Sequence, residues 1–153
     1  MKKFKFTLDS VHKVREIKQD RESVILSELQ AEADRAAERV AHIEAMRHDA
    51  IENYTRRIAA GERLDALEME LSSKHFASLD QIQKAAEANL AQRQVACEIQ
   101  IAAVTDAMRN VKITENLRET QRERHNAEFE RREQNGVDEL VSNKFARRIL
   151  EAK

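Results

Sequence analysis

Glu44, His48 and Glu52 follow one another at intervals of four residues. A helix through them would set two carboxylates and an imidazole in one row, residue types that can hold a divalent metal. A closed site needs ligands converging from several directions, and the Glu-x-x-His pair of di-iron helical bundles is absent from the chain. The row therefore reads as a solvated helix face, and His12, His42, His75 and His125 are isolated from further ligands in sequence. Cys97 is the single cysteine, so no internal disulfide forms, and its apolar neighbours make it a small packing residue rather than a reactive thiol. The arginine groups Arg56-Arg57, Arg122-Arg124, Arg131-Arg132 and Arg147-Arg148 could meet phosphate. Each is interleaved with or near glutamate and lacks aromatic residues for base stacking, which argues against nucleic acid. With no glycine-rich phosphate loop, no Gly-x-Ser-x-Gly pattern and no strand signal to seat a nucleophile, neither catalysis nor a cofactor is expected.

The elements that would carry these residues are helices. Among 153 residues there is no proline and no tryptophan, there are two glycines, and 36% are charged, so a thick core is excluded. Regular apolar spacing separates such a chain from a disordered one. The net charge of −1 gives no global attraction to nucleic acid or anionic lipid. Lys2, Lys3 and Lys5 surround Phe4 and Phe6, but Asp9 follows Leu8 closely, so no signal-peptide apolar region develops, and no run approaches membrane-spanning length. A cytoplasmic location is the expectation.

Leu26, Leu29, Ala33, Ala36, Val40, Ile43, Ala50 and Tyr54 keep an unbroken 4-3 spacing with Arg47 as the polar interruption. This is the seam of a coiled coil, which buries one narrow side of a helix against a partner helix. Thr7 is a candidate N-cap, and the first helix is expected over 8–60, reaching its seam through Val11, Val14 and Ile17 and ending at Gly61. Residues 61–73 form the tip, with a possible short helix through Leu64, Leu67 and Leu71. A second helix is expected over 74–135, with Ser78-Leu79-Asp80-Gln81 as a capping-box pattern and Phe76, Leu79, Ile82, Ala86, Leu90, Cys97, Ile101, Val104, Met108 and Val111 as its apolar side.

Two long helices joined by a short polar segment fold back as an antiparallel hairpin, so the fold class is all-α and the whole of 1–153 is one hairpin. A turn centred near residue 67 sets Leu26 and Leu29 opposite Met108 and Val104, Ala33 and Ala36 opposite Ile101 and Cys97, and Ile43 opposite Leu90. Gly136 ends or kinks the second helix, and Val137, Leu140, Val141, Phe145 and Ile149 make a new stripe on a tail helix over 137–153. That stripe either folds beside Phe4, Phe6 and Leu8 or docks on a partner.

The ends of the chain resemble the FliJ family of the bacterial flagellar type III export apparatus. The resemblance rests on Phe4-Lys5-Phe6-Thr7-Leu8-Asp9-Ser10-Val11 with Val14-Arg15, and on Leu117-Arg118-Glu119, Glu130 to Glu139, and Phe145-Ala146-Arg147-Arg148. It implies a non-enzymatic stalk whose termini-bearing base enters the ring of a hexameric export ATPase, promoting its assembly and turnover. The opposite tip would face a membrane export gate protein, with export chaperones as further partners and a peripheral position at the cytoplasmic face of the inner membrane. Carried over by position, the base comprises Phe4, Phe6, Leu8, Arg131, Arg132, Glu133, Gln134, Asp138 and Glu139, and the tip Leu64, Leu67, Leu71 and Phe76. From the residues alone, Phe4, Phe6 and Leu8 equally suit a hydrophobic staple, and Arg131 and Arg132 a solvated face. The stalk of a virulence injectisome and a generic structural or chaperone coiled coil remain the alternatives.

Overall fold

A computed structural model describes the backbone of residues 4–151 and the side chains of residues 4–148. The chain is all-α, with two long helices, α1 (Asp9–Ala59) and α2 (Ala66–Glu151), and no strand among the described residues. Contacts along the backbone group into two units. One is Asp20–Asp106, which contains the turn; the other is Met1–Gln19 with Ala107–Lys153, which carries both chain ends.

In the turn-bearing unit the helices pair antiparallel: Glu22 meets Gln100, Glu32 meets Arg93, Arg47 meets Asp80 and Tyr54 meets Phe76. In the termini-bearing unit Arg15 meets Asn110 and His12 meets Thr114 in the same sense. The pairing differs from the expected register by about one heptad. The cause is the turn. It occupies only residues 60–65, because α2 begins at Ala66 rather than 74, and the expected tip helix is simply the first turns of α2. Ala36 accordingly lines a groove with Ile82, Ala85, Ala86 and Asn89, instead of facing Cys97 or Ile101.

Local chemistry explains both ends of the turn. Gly61 adopts φ +77°, open to glycine at little cost, and its N–H donates to the Ile58 carbonyl while the Glu62 N–H donates to that of Arg57. These two bonds are the Schellman closure of α1. At the start of α2 the Asp65 carboxylate accepts the Glu68 N–H at 2.7 Å, and the Glu68 carboxylate accepts the Asp65 N–H at 3.2 Å. The capping box is thus Asp65-Ala66-Leu67-Glu68, and Ser78 to Gln81 lie inside the helix. α1 starts at Asp9, where the Leu8 carbonyl accepts the His12 N–H at 2.9 Å, one residue past the expected start.

Two further expectations are corrected. No tail helix separates at Gly136, because α2 continues through it to Glu151; one glycine costs about 1 kcal/mol in a helix interior, and the flanking Glu, Arg and Gln are good helix formers. The seam also carries more polar residues than its apolar spacing suggested. Counting back from Leu26 and Leu29 in 4-3 steps reaches Glu22, Gln19, Arg15 and His12, which face inward, whereas Val11, Val14 and Ile17 are exposed. On α2 the inward row runs through Ala86, Leu90, Arg93, Cys97, Gln100, Val104, Ala107, Val111 and Thr114, so Ile101 and Met108 fall one position outside it and are exposed, as is Ile82. Helical periodicity is rigid, so a side chain one residue off the seam rotates about 100° away from it, whatever its hydropathy.

Candidate functional site

The turn-bearing unit positions the expected tip residues. Arg57, on the last turn of α1, grips both sides of the turn: its Nε donates to Glu62 Oε2 at 2.8 Å, and one terminal nitrogen reaches Glu62 Oε1 at 2.6 Å and Glu68 Oε1 at 3.4 Å. The hydrogen bonds from Arg57 hold the Glu62 carboxyl below the usual carboxylate range, and those to Glu62 raise Arg57 above its already high ordinary value. On this frame Leu64 is half-buried, while Leu67 and Leu71 are exposed together with Ile58 and Met69. Phe76 is different. Its ring packs edge-on against Tyr54, with centroids 5.5 Å apart at 84°, so it joins the two helices instead of standing free with the leucines.

Further along the same unit Ile43 and Leu79 are buried, and Leu26, Leu29, Ala33, Ala36, Val40, Tyr54, Leu90, Cys97 and Val104 are half-buried. Polar residues bridge the helices between them. The Gln100 amide donates to the Glu22 carbonyl at 3.0 Å and to its carboxylate at 2.6 Å, Arg93 donates to Glu32, and Arg47 pairs with Asp80 at 2.6 Å. Of the possible metal row, Glu44 and His48 border a groove with Arg47, Ile51 and Gln83, and Glu52 is held by Arg56 at 2.8 Å. No group of three or more potential metal ligands converges among the described residues.

The termini-bearing unit divides the expected base residues into two sets. Phe6 is buried, Phe4 packs against His125 with ring centroids 5.6 Å apart, and Leu8 sits at the margin of exposure. These side chains close the end of the paired region. Arg131, Arg132, Glu133, Gln134, Asp138 and Glu139 lie farther along α2 and are all exposed, the nearest six residues and about 9 Å of helix beyond His125. Arg132 lies 3.8 Å from Glu128, a loose exposed pair. Every described side chain from 130 to 148 is exposed, including Val137, Leu140, Val141 and Phe145; Ile149 lies outside the described side chains. The Phe4–His125 contact and the charged segment are therefore separate surfaces.

Sequence reasoning missed two arrangements. The Arg57 clamp was signalled by Asp65-x-x-Glu68, a capping box with aspartate in the serine position. The buried pair of His12 and Thr114 was signalled only by the phase of the seam, because neither residue type marks a core position.

A family model described as the flagellar FliJ protein matches residues 4–149 of the chain. No curated protein and no solved structure matches it. No helix among the described residues is long and apolar enough to cross a membrane.

Proposed function

This chain belongs to the FliJ family, a component of the flagellar protein export apparatus, and we propose that it serves there as a non-enzymatic coiled-coil stalk for a hexameric export ATPase. In this reading the end of the termini-bearing unit that carries residues 131–139 enters the central hole of the ring, promotes ring assembly and raises ATP turnover. The observation that carries it is the exposed stretch of α2 from 130 to 148. A helix that displays Val137, Leu140, Val141 and Phe145 beside Arg131, Arg132, Asp138 and Glu139 has apolar area and charge with no use inside the chain. Phe4 supports the stretch at its root through its packing against His125.

The turn-bearing unit presents Leu64, Leu67 and Leu71 to a membrane export gate protein, on a turn stiffened by Arg57 and two helix caps. Export chaperones are the third class of partner. The protein works in the cytoplasm, peripheral to the inner membrane. A virulence injectisome stalk would share every one of these surfaces, and the identity of the ATPase that responds distinguishes it; a generic structural coiled coil would engage neither enzyme.

The deciding experiment mixes the chain with its cognate export ATPase and follows oligomerisation and turnover together. Ring formation and a rise in turnover at stoichiometric amounts are the expected outcome. An ATPase that stays unassembled and unstimulated would sink the stalk reading.

A further inference from the structure

The two flanks of the paired region in the termini-bearing unit differ in kind. On one, charges neutralise each other: Lys13 pairs with Asp9 at 3.2 Å, Lys112 with Glu115 at 3.2 Å and Arg122 with Glu119 at 3.8 Å. On the other, Val11 (40% exposed) and Val14 (65%) of α1 lie level with Leu117 (41%) and Ile113 (52%) of α2. The shared side follows from the groove between the helices. Arg15, Lys18, Ala107 and Asn110 line one depression of about 210 Å³, and Val11, Val14 and Lys18 step along α1 at 3 and 4 residues as Asn110, Ile113 and Leu117 do along α2. Its remaining positions as far as Arg124, namely Lys18, Asn110, Thr120 and Arg124, include two cations and no acid, and the next carboxylate along the row, Glu128, lies 3.8 Å from Arg132. Neither Lys18 nor Arg124 carries an ion pair among the described residues, and Arg15 at the groove spends a donor on the Asn110 carbonyl at 2.8 Å instead of on a carboxylate.

We propose that this flank is a docking site for an acidic amphipathic helix of another protein, which lies along the groove as a third helix. The apolar quartet supplies the strip that a 3-4 row of leucine or isoleucine side chains would cover, beside the depression at Arg15, Lys18, Ala107 and Asn110. The cations supply the sign. Flanking glutamates on the incoming helix would meet Arg15, Lys18 and Arg124, which have no carboxylate of their own, whereas on the opposite flank an incoming acid would compete with carboxylates already in place. A lipid surface fits less well. The depression beside the strip lies between two helices, and three cations near an anionic surface anchor only weakly. The site is distinct from residues 131–139 and stands whether or not those enter an ATPase ring.

The test uses the full chain and two designed helical peptides with the same leucine row, one flanked by glutamate and the other by lysine. Backbone amide shifts on titration should change at Val11, Val14, Ile113 and Leu117 with the acidic peptide. Its affinity should fall with added salt and drop about tenfold or more in Val14→Glu/Ile113→Glu, while the thermal midpoint of that variant stays within a few degrees because both side chains are over half exposed. Lys18→Glu/Arg124→Glu should reverse the preference between the peptides. Equal binding of the two peptides, shifts on the opposite flank, no binding of the acidic peptide, a dimer of the chain that covers the quartet, or binding of anionic vesicles in place of the peptide would each overturn the proposal.

Discussion

His12 Nδ1 lies 2.8 Å from Thr114 Oγ1 across the paired region of the termini-bearing unit, with His12 5% and Thr114 1% exposed. The threonine hydroxyl also lies 2.8 Å from the Val111 carbonyl, one turn back on α2. When that carbonyl takes the hydroxyl proton, the imidazole donates to the oxygen, so one threonine satisfies its own helix and its partner at once. His12 Nε2 faces Glu16 at 3.3 Å, toward solvent.

Removing one member should therefore cost more than removing both. Thr114→Val should destabilise the chain by about 1–3 kcal/mol, because the His12 nitrogen is left buried without a partner, and His12→Leu in the same background should recover part of that loss. Urea denaturation of the four proteins in a double-mutant cycle measures the coupling. Strict additivity of the two single losses would show that the bond contributes nothing.

The outward rotation of Ile101 gives a sharper test of the seam. Ile101→Asp should shift stability by no more than about 0.5 kcal/mol, as exposed substitutions do, whereas Val104→Asp should cost several kcal/mol by placing a carboxylate against α1. Ile43→Asp, at a buried position, should remove much of the helical signal at ordinary temperature. Circular dichroism melts rank all three, and a large loss for Ile101→Asp would contradict the observed phase.

These contrasts mark what the sequence could and could not disclose. From Leu26 to Ile43 apolar residues occupy the 4-3 positions almost alone, so periodicity alone identified the seam and the all-α class. Toward the N-terminus the same phase passes through His12, Arg15, Gln19 and Glu22, and the nearby valines and isoleucine pull an apolar reading off by one position. Hydropathy cannot separate a buried His that bonds Thr114 from an exposed one, because its burial depends on a partner 102 residues away. The register was lost at the turn, where Leu64, Leu67 and Leu71 look like an element of their own but Asp65 and Glu68 already cap α2. Gly136 reads as a stop because glycine is a poor helix former, and the helix-favouring Glu, Arg and Gln before it do not by themselves say whether the helix runs on. The separation of Phe4 and Phe6 from Arg131 to Glu139 could not be read at all, since it depends on where the N-terminal segment meets α2.

At the turn, Gly61→Ala should cost about 1 kcal/mol because alanine pays for positive φ, although open space surrounds the position. Asp65→Ala should cost about 0.5–2 kcal/mol through the lost cap. Chemical denaturation checks both, and unchanged midpoints would show that the turn is not held by these two groups.

Glu62 adds a pH dependence of known sign. Its folded value is lowered by Arg57, so the unfolded state binds protons more readily, and the clamp's contribution is complete above the ordinary value of 4.5 and lost as pH falls through the lowered folded value. A side-chain carboxyl titration by NMR should find Glu62 below the ordinary value in the native chain and back near it in Arg57→Gln. An unshifted Glu62 in the native chain would show that the bidentate contact does not persist in solution.

The exposed end of α2 is proposed to contact an export ATPase without supporting the fold, and charge reversal at Arg131 and Arg132 tests that contact. Arg131→Glu/Arg132→Glu should keep native helicity and melting, because exposed pairs such as Arg132–Glu128 contribute little to stability. The same variant should lose most of its stimulation of the cognate ATPase, measured side by side with the native chain at low and moderate salt. Full stimulation by the double variant at both salt concentrations would contradict the claim, as would a loss of stimulation that came only with a loss of helix.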